Sequence, residues 1–390
     1  MSARTADVII LGAGVIGASI AFHLAKRNAG RILVLDQQDV ASGGSGRSSA
    51  LIRMHYSFPP EVQLAVKSLE IFRNWKDIVQ RPGDFRKTGF LRIVPDQELD
   101  RLKANVAMQQ KFGVSTRVVS RDELHEIEPD WNFDDISAAA YEPDSGYGDG
   151  AGVANDFLSR AREMGAGYSS GTRITSLDIE AGRIVGVQTH AGAVQAPVVI
   201  SAAGPWTRAM FLRAGIDLPV EPEFHQVAIL KNPPGMKKTT SCACIDSNLA
   251  LYYRSESGGY TLVGGFYGKR GYDPDDFPQT ADRETLGDMS IGIAKRIPAL
   301  EEAGLARGIT GLYDMSPDSR PLLGAIPGVS GLYVAAGFSG MGFKISPAVG
   351  LVMAELILDG KATTIDIQAF RPERFAEGQP IKAPFEYQDD

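Results

Sequence analysis

Two kinds of hydrophobic patterning alternate along this chain. A short apolar run, Val8–Leu11, leads into glycines and then into a longer apolar segment, ASIAFHLA. A second apolar run at 31–35 follows and ends in Asp36. Short uninterrupted apolar runs read as strands buried on both faces, so this opening predicts a βαβ unit with parallel strands. The next stretch, ASGGSGRSSALIR, is expected to start as a glycine-rich loop and turn helical towards Leu51. Val62, Ala65, Val66, Leu69 and Phe72 recur at helical spacing and predict a helix across 61–80. A strand is expected over 85–94, a polar-faced helix over 97–112, and a strand–helix pair over 114–128. EPDSGYGDGAG at 142–152 reads as a boundary loop, with helix resuming at 155–164.

From 172 onward the pattern becomes a three-stranded meander with turns at 180–182 and 191–192, feeding a buried strand Val198–Ser201. Past Pro219, alternating strands at 224–230, 249–254 and 260–264 lie among aromatic and glycine-rich loops, followed by a helix near 281–296. A buried strand at 331–336, the turn GFSGMGFKIS and an apolar helix over 348–358 complete the pattern. Nothing repeats at a solenoid period. These elements predict an α/β plus α+β fold. A discontinuous dinucleotide-binding domain takes 1–84, 148–220 and 318–372, an inserted mixed-sheet domain takes 85–147 and 221–317, and 373–390 form a C-terminal tail.

Gly12, Gly14 and Gly17 complete G-x-G-x-x-G at the first strand-to-helix turn. Gly12 suits the tight turn, Gly14 lets backbone approach a pyrophosphate, and Gly17 lets the helix pack on the sheet. Val15 and Ile16 open the helix whose N-terminus would face the phosphates. Asp36 stands near the offset that holds an adenosine ribose diol, and an acid there disfavours the 2′-phosphate of NADPH.

At 390 residues the chain can bury a large core and split into two domains. Its 22% charged and 44% hydrophobic residues are an ordinary globular mixture, and a net charge of −7 gives no general reason to bind nucleic acid. No apolar run reaches the length of a membrane span, and the start has no cleavable-leader arrangement. The ending FEYQDD is not a peroxisomal address, so a cytoplasmic location is expected. Cys242 and Cys244, one residue apart, are expected on opposite faces of a strand, which suits neither a disulfide nor a metal pair. With five scattered histidines, no metal site is expected.

The blocks GAGVIGASIAFHLA, GRSSALIRMHY, VVISAAGPWT, GLYDMSPDSRPLLG and GLYVAAGFSGMGFKISPAVG occur together in one order. In this the sequence resembles the D-amino-acid-oxidase-like superfamily of FAD oxidoreductases, most closely its sarcosine and glycine oxidase branch. The resemblance covers almost the whole chain. It implies FAD bound by a domain of the glutathione-reductase type, with a large sheet of the other domain covering the flavin. It also implies oxidation of a small amino or imino acid at its Cα–N bond, by hydride transfer to flavin N5 and imine hydrolysis. Arg47, Ser48, Ser49, Ile174, Ala203, Gly204 and Trp206 are expected around the cofactor, with a surface role left open for Arg47. Gly340, Met341, Gly342, Phe343 and Lys344 of the late glycine-rich turn are expected to meet the flavin. The helix that follows could place its positive end near the pyrimidine carbonyl.

The resemblance places Arg53 and Lys344 on the substrate carboxylate, chemistry that a desolvated anion requires. Tyr313 and Tyr56 line the pocket, and Tyr252 or Tyr253 caps it. Arg254 or Arg270 could accommodate a second carboxylate if the substrate is an imino diacid. Three positions depart from the sarcosine oxidase pattern. Gly311 stands where a flavin-linking cysteine is found, so FAD is expected to be non-covalent. Ala50 replaces a second arginine, and Asp273 stands near a histidine position. Lys269 could match the lysine that promotes reaction of the reduced flavin with oxygen, an alignment the differing glycine-rich loop lengths leave open. The electron acceptor is therefore molecular oxygen or another acceptor, and the chain could act as a homo-oligomer or as one subunit of a heteromeric oxidase. Two alternatives stay open. One is a dehydrogenase for a D-amino, imino or 2-hydroxy acid that passes electrons to a quinone or partner subunit. The other is a non-catalytic flavin-binding electron-transfer subunit.

Overall fold

The computed structural model describes residues 4–236 and 241–387. Residues 1–3 and 388–390, parts of the expected dinucleotide domain and of the expected tail, lie outside them. The opening βαβ unit forms from Val8–Leu11, helix Val15–Lys26 and Ile32–Leu35. These strands belong to a six-stranded sheet in the spatial order Gly167–Ser169, Ile32–Leu35, Val8–Leu11, Val198–Ser201, Leu332–Ala336, Leu322–Ala325. All neighbours run parallel except the final pair.

Alternation along the central strands sends side chains to opposite faces. Val8 and Ile10 join a core with the helices Val15–Lys26, Pro59–Arg73, Gly150–Glu163 and Gly342–Asp359. Ile9 and Leu11 pack instead against Leu177, Ile184 and Val187 of the meander. Both faces are covered, which is why these strands read as continuous apolar runs. Gly12 has φ +105°, and a Cβ there would lie 2.4 Å from the Ala202 carbonyl oxygen. One on Gly17 would lie 2.0 Å from the Gly12 carbonyl oxygen. Helix, turn and sheet can be this close only without those side chains.

A nine-stranded mixed sheet forms the second layer system. From one edge it runs Lys269–Arg270, Glu221–Lys231, Tyr260–Gly265, Leu251–Glu256, Ala243–Asp246, Phe90–Ile93, Ala138–Glu142, Arg117–Ser120, with Gly304–Met315 paired along Glu221–Lys231. Its one parallel contact, Ala243–Asp246 on Phe90–Ile93, joins two distant chain segments. The chain thus builds an α/β plus α+β fold in which a mixed-sheet domain is inserted into a discontinuous cofactor domain.

Several local expectations change. ALIR is not helical: Leu51–Ile52 pairs with Gly146–Tyr147, which also holds Arg86–Lys87. The predicted strand at 85–94 splits into Arg86–Lys87 and Phe90–Ile93, which join different sheets. The predicted helix at 61–80 breaks at Asn74 into Pro59–Arg73 and Trp75–Ile78. The last helix begins at Gly342 and passes through Pro347. Proline cannot donate to the Phe343 carbonyl one turn back, and the Ser346 hydroxyl donates to that oxygen instead, at 2.8 Å. Cys242 and Cys244 are both free thiols in one apolar cluster rather than on opposite faces, because pleated residues two apart return to the same side. Among the described residues no helix is long and apolar enough to cross a membrane, and no cluster of acidic, histidine and cysteine side chains is arranged to hold a metal.

Candidate active site

A cleft follows the C-terminal ends of the parallel strands, where Leu11, Leu35, Ala202 and Ala335 reach it. This is the edge at which open α/β sheets bind ligands. Gly12, Gly14, Val15 and Ile16 form its floor. Gly14 caps the first helix without a side-chain acceptor, and the Val15 N–H donates to Ser45 Oγ at 3.0 Å. The second strand delivers Asp36 to the same edge. Its carboxylate accepts the Ala13 N–H at 2.7 Å and the Gln38 N–H at 2.8 Å. Burial pushes its pKa up, opposed by those two bonds. Asp36 therefore ties the glycine turn to the strand end while facing the cleft.

Ser48, Ile174, Ala203, Gly204 and Trp206 also line this cleft, and Gly340, Gly342 and Phe343 line it from the late loop. Asp273 reaches it as well. Ser49, Met341 and Lys344 face an adjoining cavity instead. Gly17 lies under the turn and outside both linings. Arg47 also lines neither space. The short turn Gly44–Arg47 directs it to the inserted domain, where it donates to the Thr310 carbonyl at 3.0 Å and Gln279 Oε1 at 3.1 Å.

The late loop is pinned to the inserted domain. Half-buried Asp314 accepts the Gly337 N–H at 2.7 Å, and its main-chain oxygen accepts the Ser339 N–H at 2.9 Å. Burial pushes the Asp314 pKa up to about 6. Gly340 has φ +84°, and a Cβ there would stand 2.8 Å from the Tyr313 ring.

Tyr313 and Gly340 line both the cleft and the adjoining cavity, so the two spaces meet there. The cavity brings together Arg53, Tyr56, Tyr252, Tyr313 and Lys344, which come from four distant stretches of sequence. Strand alternation turns Tyr252 to the cavity and Tyr253 into the core behind the sheet. The Tyr252 and Tyr313 hydroxyls are 3.3 Å apart, and the His225 ring stacks on Tyr313 at 3.9 Å. Arg53 donates to the His55 carbonyl, its guanidinium lies 4.4 Å from the Tyr56 ring centroid, and its buried Nε has no hydrogen-bond partner among the described residues. Lys344 is 7% exposed, and its Nζ donates to the Gly340 carbonyl at 3.3 Å. Burial, then the nearby Arg53 charge, pushes its pKa well below the ordinary value, with Glu61 opposing.

Lys269 is not brought to either space. It lies exposed on the edge strand Lys269–Arg270. Conversely, sequence reasoning did not anticipate Arg92, His225, Arg320 or Tyr387 in the cavity wall. Arg92 and His225 leave one faint signal, a polar residue inside an apolar strand. His225 Nε2 donates to Glu223 Oε1 at 2.9 Å, and that bond, with Arg270, holds the Glu223 carboxyl down to about 2.

The donor set fits a dinucleotide flavin. An uncapped helix N-terminus, a glycine turn and an acid at the second strand end lie along one cleft that opens on a cationic cavity. None of the chain's five histidines or two cysteines lines the cleft, and Gly311, beside Arg47, offers no sulfur for a flavin linkage.

Residues 7–356 match the family described as DAO, FAD dependent oxidoreductase. Human (Homo sapiens) mitochondrial sarcosine dehydrogenase is 25% identical over 97% of this chain, which spans only 41% of that protein's length. FAD-dependent oxidoreductase domain-containing protein 1 of Mus musculus is 28% identical, over 97% of this chain and 86% of its own length. The crystal structure of L-proline dehydrogenase from P. horikoshii superimposes with a TM-score of 0.90 at 30% identity, covering 97% of this chain and all of that one (100%). The chain belongs to the D-amino-acid-oxidase-like family of FAD dependent oxidoreductases, close to its sarcosine/glycine oxidase branch, and is an enzyme that uses non-covalently held FAD.

Proposed function

We propose that this enzyme oxidises the Cα–N bond of a small monocarboxylic amino or imino acid, with secondary amines such as sarcosine or proline as its first choice. The observation that carries this reading is the cavity itself. It opens on the cofactor cleft at Tyr313 and Gly340 and holds two under-satisfied cations, Arg53 and Lys344, among aromatic walls. FAD, when bound, supplies the acceptor for the electron pair leaving Cα. Arg53 and Lys344 hold the carboxylate, replacing the hydration it loses on entry. Their positive field lowers the pKa of the substrate amine, so the nitrogen lone pair is available to support the developing imine. Tyr56, Tyr252 and Tyr313 shape the wall and exclude water. Gly12, Gly14, Val15 and Ile16 take the pyrophosphate and Asp36 the ribose, in a domain of the glutathione-reductase type built from 1–84, 148–220 and 318–372. The names of two relatives point to sarcosine and L-proline, both secondary amines, which supports the substrate class.

A second reading of the electron acceptor has its own support. Lys269 lies away from both spaces, so no lysine at that position would face the flavin to promote oxygen chemistry. Transfer to a quinone or a partner subunit fits this arrangement better than direct oxygen use. The test is an anaerobic flavin-reduction screen with sarcosine, proline, glycine, iminodiacetate, D- and L-amino acids and 2-hydroxy acids, followed by oxygen or a quinone. Rapid bleaching by a secondary amine is expected, with faster reoxidation by quinone. Bleaching by a 2-hydroxy acid and by no amine would overturn the substrate class.

A further inference from the structure

The C-terminal segment is fastened at intervals rather than left to fray. Arg374, fully buried, pairs with Asp318 at 2.9 Å, and the Ile381 N–H donates to the same carboxylate at 2.9 Å. The chain then crosses to the inserted domain. There Asn105 Nδ2 donates to the Phe385 carbonyl at 2.9 Å, while Glu386 pairs back with Arg320 of the cofactor domain at 3.0 Å. Terminal residues are ordinarily loose unless tied down in this way.

The segment ends, within the described residues, on a side chain that reaches the cavity. Tyr387 is 4% exposed and lines it, while its ring packs on Val94, Leu102 and Val106. Its hydroxyl shares a 2.8 Å hydrogen bond with His55 Nε2, and the two rings stack at 5.9 Å and 19°. The Arg92 guanidinium also lies 4.6 Å from the ring centroid. His55, Arg92 and Tyr387 line the cavity but not the cofactor cleft, whereas Tyr313 and Gly340 line both. The Tyr387 wall therefore belongs to the part of the cavity that is not shared with the cofactor cleft. It also touches the cationic clamp, because the His55 carbonyl accepts from Arg53.

We propose that Tyr387, carried by the C-terminal segment and held between His55 and Arg92, is a specificity-determining residue that closes the substrate cavity and restricts it to small carboxylates. This rests on the cavity being the substrate site. The arrangement has a physical logic: a rigid aromatic ring held by a hydrogen bond and a cation sets a hard limit on ligand length, where a flexible side chain would yield. Removing the ring leaves space that an apolar ligand group can fill.

The test titrates the purified holoenzyme with acetate and with phenylacetate, reading the flavin absorbance change as each binds. Tyr387→Ala is expected to shift the ratio of the two dissociation constants towards phenylacetate by about tenfold or more, a size set by apolar groups gaining a pocket. Tyr387→Phe keeps the ring and is expected to keep the wild-type ratio. If Tyr387→Ala does not fold, Tyr387→Leu, which still fills the cluster around Leu102, reads the same ratio. Equal changes for both ligands, or no change, would overturn the wall while leaving the substrate site in place. Absence of any carboxylate-induced flavin change in the wild type would overturn the site reading and the wall together.

Discussion

Replacing Lys344 with methionine separates binding from stability. The Lys344 ammonium is 7% exposed and, among the described residues, has one long hydrogen bond, to the Gly340 carbonyl at 3.3 Å. In the ligand-free enzyme it is a buried charge with too few partners, and burial and Arg53 both disfavour its protonated form. A bound carboxylate supplies the missing partner. Truncating one side of such a desolvated pair costs about 2–5 kcal/mol. Arg53 remains to hold the anion in Lys344→Met, so the lower part of that range applies, roughly 2–3 kcal/mol or about 30- to 150-fold in affinity. The ligand-free variant should nevertheless be as stable as wild type or more so, since methionine fills similar volume without a charge to desolvate.

The pH dependence follows from the same shift. The folded-state pKa of Lys344 lies below the ordinary 10.5, so the unfolded chain binds the extra proton between those two values. The wild type should gain stability relative to Lys344→Met as pH rises through that window. Carboxylate affinity should fall over the same rise, because the neutral amine no longer attracts an anion. Flavin-monitored titration with acetate and thermal unfolding across pH, both on the holoenzyme, read the two effects. An unchanged acetate affinity in Lys344→Met, or a large loss of stability, would refute the reasoning.

Arg53→Ala should likewise weaken acetate binding by at least tenfold, with FAD content unchanged, as read by flavin-to-protein absorbance. Asp36→Ala removes the acceptor for the Ala13 and Gln38 N–H groups as well as the acid at the strand end. It should raise the fraction of flavin released on dilution and filtration, while wild type releases all its flavin as FAD only on denaturation. Asp314 has a folded pKa of about 6 against an ordinary 3.8, so its ionisation costs stability that is absent below about 3.8 and complete above about 6. Asp314→Asn should gain thermal stability over wild type as pH rises across that window, and equal pH profiles would count against it.

The cofactor half was legible because its signals are local. Gly12, Gly14, Gly17 and Asp36 belong to one βαβ unit, and each glycine reports a steric demand that the fold imposes within a few residues. The second half was less so. Gly304–Met315 escaped notice because its first residues are solvent-exposed and glycine-interrupted, which erases alternation. Ala243–Asp246 is short, and its partner on one side is the distant Phe90–Ile93. The end of the last helix that bears Lys344 was masked by Pro347, whose missing N–H is replaced locally by Ser346. Tyr387 carries no sequence signal at all. Its position depends on anchors at Asp318, Asn105 and Arg320, each set by tertiary structure.

The charges around the cavity also bear on which acid it accepts. Arg320 pairs with Glu61 at 3.0 Å and with Glu386 at 3.0 Å, and Arg92 donates to Ser247 Oγ at 2.6 Å. The two arginines expected to accommodate a second carboxylate are engaged elsewhere. Arg254 donates to the Ser49 carbonyl at 2.5 Å and pairs with Glu256 at 2.9 Å, while Arg270 pairs with Glu223 at 2.8 Å. Neither lines the cavity. Among the described residues that line the cavity, Arg53 and Lys344 are the cations left wanting an anion, and one carboxylate satisfies both. A second carboxylate would enter among cations that already have partners, and would have to lose its hydration without equivalent replacement. Iminodiacetate should therefore reduce the flavin at least tenfold less efficiently, in kcat/KM, than sarcosine or proline, since about 1.4 kcal/mol of uncompensated desolvation gives that factor. Rapid-mixing reduction kinetics compare them directly, and equal efficiency for iminodiacetate would mean that one of these ion pairs opens to receive it.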